Sequence, residues 1–210
     1  MAQSPRAYEI CQMAPVVPVI VVDDVAHAAP LAEALVAGGL PDLEVTLRTP
    51  VALDAIRAMA DVPGGIVGAG TVLTKADVDA AKAAGATFAV SPGATPDLIA
   101  AAEAAQLPLL PGAVTASEVM SLLAQGYDML KFFPAGTSGG APALKAFSSP
   151  LPQARFCPTG GVSTANASEY LSLPNVVCVG GSWPVQGDLM KAGDWAAIEA
   201  LAKEASQFPR

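Results

Sequence analysis

A chain of 210 residues and 21.0 kDa, 52% apolar, is long enough for one domain with a sizeable core. Its net charge of −8 and its lack of a basic stripe exclude nucleic acid and anionic membrane as expected partners. No apolar run approaches the ~18 residues of a membrane span, and Met1–Arg6 lacks the long apolar core of a signal peptide, so a cytoplasmic location is expected.

In chain order, a short helix is expected from Pro5 to about Met13, followed by a β-branched strand over Val16–Val22. Asp23 or Asp24 is placed to cap a helix running to Ala37, and Gly38-Gly39 to end it. Leu43–Arg48 reads as a second strand with a helix near Pro50–Ala60. Gly65–Gly70 reads as a third strand with a helix from Thr74 to Ala84. The fourth strand, Phe88–Gly93, precedes a helix opening at Thr95-Pro96-Asp97. The fifth, Leu107–Gly112, precedes one from Thr115 to Gln125. Met129–Ala135 is the sixth, with its helix after Gly139-Gly140. Arg155–Gly160 is the seventh, with a short helix from Ser163. Val176–Gly181 is the eighth, and Asp194 caps a last helix through Trp195, Ile198 and Leu201.

Eight apolar strands, each followed by a helical segment at a repeat of roughly 20–27 residues, predict parallel pairing through helical crossovers. The expectation is a single α/β domain over residues 1–210, folded as a (β/α)8 TIM barrel with a short N-terminal helix. A doubly wound open sheet is the alternative. It would normally carry a nucleotide fingerprint, and no G-x-G-x-x-G follows the first strand. Only 14% of residues are charged, against a typical share of about 25%, which predicts that part of the surface is covered by copies of the same chain.

Three cysteines, Cys11, Cys157 and Cys178, form no CxxC and read as buried thiols. One histidine, His27, offers no metal cluster, so no metal and no cofactor are expected. The chemistry must come from elsewhere. In the sixth strand, Lys131 interrupts an otherwise apolar run, and a strand covered on both faces points such a side chain inward. Burying an ammonium is costly, and a neutral amine in a dry pocket attacks carbonyl carbon. The plainer reading is a lysine whose stem packs on the strand while its head pairs with a carboxylate.

The second strand tips the balance. Glu44, Thr46 and Arg48 alternate with Leu43, Val45 and Leu47, so the three polar side chains share one face, expected to be the interior that also receives Lys131. Amine, carboxylate and guanidinium at one strand-end face suit condensation with an α-keto acid, the guanidinium holding the substrate carboxylate. Gly160-Gly161 and Gly180-Gly181-Ser182, after the seventh and eighth strands, suit a phosphate. Thr71, Ser91-Pro92-Gly93 and Thr159 are further strand-end candidates, while Phe133 and Trp183 read as packing.

These stretches have a familiar look when taken together. Glu44–Thr49, Gly68–Val72, Ser91–Gly93, Lys131–Ala135, Pro158–Gly161 and Gly180–Trp183 closely resemble the 2-keto-3-deoxy-6-phosphogluconate (KDPG) aldolase and 4-hydroxy-2-oxoglutarate aldolase family, in the right order over nearly the whole chain. The resemblance implies a class I aldolase of the Entner–Doudoroff pathway. Such an enzyme cleaves the phosphorylated 2-keto-3-deoxy sugar acid to pyruvate and glyceraldehyde 3-phosphate, with a side activity on 4-hydroxy-2-oxoglutarate. By the same resemblance Lys131 forms the Schiff base and Glu44 transfers protons. Arg48 and Thr71 hold the substrate carboxylate, and Pro92 lines the pocket. Thr159 contacts substrate hydroxyls and favours the gluconate epimer, and Gly160, Gly161, Gly181 and Ser182 hold phosphate. The assembly it implies is a homotrimer. Two local departures stand out: the loop Gly136–Gly140 carries no charged residue, and Pro184 stands where an ordinary apolar residue is usual. The competing readings are a phosphate-binding barrel isomerase or synthase, which has no use for Lys131 beside Glu44, and a silent sugar-phosphate-binding barrel.

Overall fold

The computed structural model describes residues 4–209, so Met1–Gln3 of the N-terminal stretch read above lie outside the described residues. Nine short strands form among the described residues: β1 Val16–Ile20, β2 Asp42–Thr46, β3 Ile66–Gly70, β4 Phe88–Val90, β5 Leu109–Leu110, β6 Gly112–Ala113, β7 Met129–Phe132, β8 Arg155–Pro158 and β9 Val179–Gly181. Ten helices accompany them: α1 Ser4–Cys11, α2 Ala28–Ala37, α3 Ala52–Ala60, α4 Lys75–Ala83, α5 Pro96–Ala105, α6 Ala116–Ala124, α7 Gly140–Phe147, α8 Ala167–Leu171, α9 Gly187–Ala192 and α10 Trp195–Ser206. No helix among the described residues is long and apolar enough to cross a membrane.

The helix starts follow local chemistry. Thr74 and Thr115 form capping boxes with Asp77 and Glu118, each threonine hydroxyl accepting from the third backbone N–H and each carboxylate returning the bond. Thr95 caps α5 with Pro96 in its first turn, and Asp194 accepts from the Ala197 N–H at 3.1 Å. Asp24 does cap, but it caps a single 3-10 turn over Val25–His27, and α2 begins only at Ala28. Helix α9 was not expected from the sequence; it fills the segment after Pro184 that the reading above left unassigned.

The expectation of a closed eight-stranded (β/α)8 TIM barrel is corrected by the ladders. All pairs are parallel, but they form a six-stranded sheet in the order β5-β4-β3-β2-β1-β9 and a separate three-stranded sheet in the order β6-β7-β8. The expected fifth strand is split at Pro111. It has no N–H to donate, and there the chain leaves the first sheet and enters the second. On the other side β8 ends on Pro158. On that edge only isolated bridges, Phe156 with Val176 and Thr159 with Gly180, flank it on the side of β9. Single bridges do not make a ladder, and the eighth strand shortens accordingly to Val179–Gly181.

The two faces of these sheets separate by the period-two rule. Leu43, Val45, Val67, Ala69, Leu130, Phe132 and Phe156 join the large cluster beneath the helices. Val17, Phe88, Val90, Leu110, Met129 and Cys157 form a second cluster with Cys178 and with Ile10 and Cys11 of α1. This second cluster draws on both sheets, so they face each other across it, and α1 covers one end. Cys11, Cys157 and Cys178 are all buried free thiols. Glu44, Thr46, Lys131 and Thr159 are buried on the same inner face.

Candidate active site

Lys131 is carried by β7, opposite Gly112 of β6 and Cys157 of β8, and its backbone N–H donates to the Pro111 carbonyl at 2.8 Å. Glu44 is carried by β2, between Val19 of β1 and Gly68 of β3. The two side chains come from different sheets and meet: Lys131 Nζ donates to Glu44 Oε1 at 2.9 Å, with the residues only 3% and 2% exposed. Burial pushes the Glu44 carboxyl above its ordinary value, and the charge and hydrogen bond of Lys131 pull it part of the way back.

Space for this pair comes from glycine. A side chain at Gly70 would overlap the Glu44 carboxylate, and one at Gly112 would overlap the Pro92 backbone. Pro92 is thereby pressed against the neighbour of Lys131. The Phe133 ring lies beside the amine, its centroid 5.4 Å from Nζ, so this aromatic is part of the lysine's surroundings and not merely packing.

Arg48 and Thr71 form a second pair at the ends of β2 and β3. The Arg48 side chain is exposed, and its Nε donates to Thr71 Oγ1 at 3.1 Å. Thr71 has φ of +60°, a left-handed conformation rare for a β-branched residue. Thr46 lies on the inner face with Glu44, and its hydroxyl is committed to the backbone, donating to the Ile20 carbonyl at 2.9 Å.

A cavity of about 220 Å³ is lined by Phe133, the same ring that lies beside the Lys131 amine. Its lining includes Arg48, Phe133, Thr159, Gly160, Gly161, Gly181 and Ser182, together with Val19 and Val21. Thr71, Pro92, Glu44 and Lys131 do not line it: Thr71 reaches it through Arg48, and Lys131 through Phe133. Gly160 and Gly161 have φ of +91° and +79°, which glycine alone adopts without strain, and the Cα of Gly160 packs on the Phe133 ring. Thr159 is buried against Gly180, where a side chain would overlap its hydroxyl. Its Oγ1 bonds the Cys157 carbonyl at 3.4 Å and lies 3.8 Å from the Cys157 sulfur. Two roomier hollows, of about 310 Å³ between α2 and α10 and about 390 Å³ beside Tyr8 and Arg155, border neither Arg48 nor Phe133 nor the glycine loops.

Sequence reasoning did not single out Val19 or Val21, and read Cys157 only as a buried thiol. Cys157 had a signal, since it sits two residues before Thr159 and on the same face. The two valines carried none, because an apolar residue at a strand end reads like any other. A buried amine held by a carboxylate, a fork-shaped cation at the rim and glycine-rich backbone on the far wall can together bind a carboxylate, condense with a carbonyl and hold a second anion.

The family described as "Aldolase: KDPG and KHG aldolase" matches residues 7–201. The KHG/KDPG aldolase of Escherichia coli K12 is 53% identical over 200 residues, covering 95% of this chain and 94% of that protein. A crystal structure of the Zymomonas mobilis ZM4 2-keto-3-deoxy-6-phosphogluconate aldolase with 3-phosphoglycerate is 54% identical and superimposes with a TM-score of 0.91, covering 96% and 95% of the two chains. A Legionella pneumophila KDPG aldolase, with pyruvate captured at low pH as a covalent carbinolamine intermediate, is 48% identical with a TM-score of 0.92, covering 95% and 98%. Matches of this identity over nearly the whole length, together with a buried lysine on a carboxylate, lead to one conclusion: the chain belongs to the KDPG and KHG aldolase family.

Proposed function

We propose that this protein is a Schiff-base aldolase, a carbon–carbon lyase that cleaves 2-keto-3-deoxy-6-phosphogluconate to pyruvate and glyceraldehyde 3-phosphate in the Entner–Doudoroff pathway. The observation that carries the reading is the buried Lys131 amine 2.9 Å from Glu44. Lys131 attacks the C2 carbonyl, and loss of one water from the carbinolamine leaves an iminium. Glu44 takes the proton of the C4 hydroxyl, the C3–C4 bond breaks, and its electron pair passes into the iminium to give an enamine. Glyceraldehyde 3-phosphate leaves. Protonation at C3 and addition of one water then release pyruvate and restore the amine.

Arg48, anchored on Thr71, holds the C1 carboxylate as a fork. Pro92 walls the reacting end, and Thr159 contacts a substrate hydroxyl. The phosphate sits against Gly160, Gly161, Gly181 and Ser182, whose backbone and hydroxyl line the cavity. Cleavage of 4-hydroxy-2-oxoglutarate, the activity that the name of the Escherichia coli relative points to, uses the same lysine and carboxylate without the phosphate wall. A homotrimer is the assembly we favour. The low charged fraction and exposed Leu73 and Met120, at 54% and 59%, support a surface covered by other copies.

Borohydride reduction in the presence of pyruvate tests the mechanism. A stable adduct is expected on the peptide bearing Lys131 and on no other, with release of pyruvate from the phosphorylated substrate by the untreated enzyme. Folded protein that gains no adduct would sink the aldolase and favour a phosphate-binding isomerase.

A further inference from the structure

Trp183 follows Ser182 directly, yet it neither lines the cavity nor touches Lys131. Its half-buried indole lies against the Cα of Gly181, so closely that any side chain there would overlap three ring atoms. On its strand side Gly181 is fixed by pairing with Pro18 of β1. The indole in turn meets Phe208 edge-on, with ring centroids 6.3 Å apart and planes at 81°. Phe208 belongs to the segment that leaves α10. Its backbone N–H reaches the Ala205 carbonyl only at 3.5 Å, so the ring contact and packing on the core are what hold it.

This stack has a consequence for anion binding. Backbone N–H groups bind an anion well only if they are already aimed, since glycine has no side chain to limit its backbone. At Gly160 and Gly161 the aim comes from positive-φ turns packed on Phe133 and Gly136. At Gly181 it comes from the β1 ladder on one side and the indole on the other, and the indole's own orientation is held from outside by Phe208. The Lys131–Glu44 pair is held separately, by the β7 and β2 ladders.

We propose that Trp183, buttressed by Phe208, is a positioning residue for the anion-binding wall at Gly181 and Ser182, so that the segment after α10 tunes affinity for the phosphorylated end of the substrate. The inference rests on the reading that phosphate sits at Gly160, Gly161, Gly181 and Ser182.

The test compares the full-length protein with Phe208→Ala and Phe208→Tyr, using calorimetric titration with inorganic phosphate, kinetics on the phosphorylated substrate and the borohydride-trapped pyruvate adduct. Phe208→Ala is expected to raise the phosphate dissociation constant and KM together by about three- to tenfold, the worth of one aromatic pair. The kcat and adduct yield stay at the parent values, and Phe208→Tyr, which keeps the ring, restores affinity. Parent-like phosphate affinity in Phe208→Ala overturns the proposal. So does a parallel loss of phosphate binding, adduct yield and melting temperature, which is the mark of packing alone. A parent protein that binds no phosphate overturns the phosphate reading itself, and the proposal with it.

Discussion

Glu44 holds its proton to higher pH than an ordinary glutamate because burial disfavours the charged form. The direction fixes two consequences. In the proposed mechanism the carboxylate accepts the C4-hydroxyl proton, so the acid limb of the kcat profile is expected above the ordinary glutamate value of about 4.3. For stability the sign is opposite. A raised native value contributes stability fully below the ordinary glutamate range and loses it as pH rises through the native value. Glu44→Gln is expected to lower kcat by about 10²–10⁴-fold and to erase that acid limb, while the pyruvate adduct on Lys131 still forms. A pH profile of Glu44→Gln that keeps the parent's acid limb would assign the titration to another group.

At the scale of elements, β3 shows how a strand makes room for chemistry. Val67 and Ala69 face the helices, while Gly68 and Gly70 face inward and leave space for the Phe88 ring and the Glu44 carboxylate. Gly70→Ala therefore acts on Glu44 without touching it in sequence. The added methyl displaces the carboxylate from Lys131, and cleavage is expected to fall about 10²-fold, as for a catalytic group misplaced by an ångström. Far-UV circular dichroism should stay unchanged, since a strand accepts alanine. Parent-like turnover in Gly70→Ala would mean that the carboxylate relocates without penalty. The glycine at this position was legible as a strand end, but its reason was not. Only the parallel register of β2 and β3, which sets Thr46 against Gly70, brings the Glu44 side chain over it.

The whole molecule is two parallel sheets facing each other across one inner cluster, with α1 covering one end and the cavity lined from both sheets. The Lys131–Glu44 pair spans the sheets: Glu44 stands in the six-stranded one and Lys131 in the three-stranded one. Relative movement of the sheets thus acts directly on the 2.9 Å contact. Assembly belongs to the same scale. Sedimentation is expected to give about three times the 21.0 kDa chain mass at assay concentrations. A fully active species of single-chain mass would refute the trimer.

The sequence by itself determined the alternation of strands and helices, the helix starts at Thr74, Thr95, Thr115 and Asp194, and the inward face shared by Glu44 and Lys131. Each of these follows from local rules: side-chain oxygens that cap N–H groups, and a period of two along a strand. It also placed Arg48, Thr159 and the glycine pairs at strand ends, where the structure gathers them round one cavity. Tertiary structure alone decided the division into two sheets. Whether neighbouring strands form a ladder depends on a run of aligned donors, and Pro111 and Pro158 interrupt that run at the two seams. Tertiary structure alone also decided the diversion of Thr46 to the Ile20 carbonyl and the stacking of Phe208 on Trp183. Both join residues about 25 positions apart, through contacts that no local pattern of apolar and polar residues encodes.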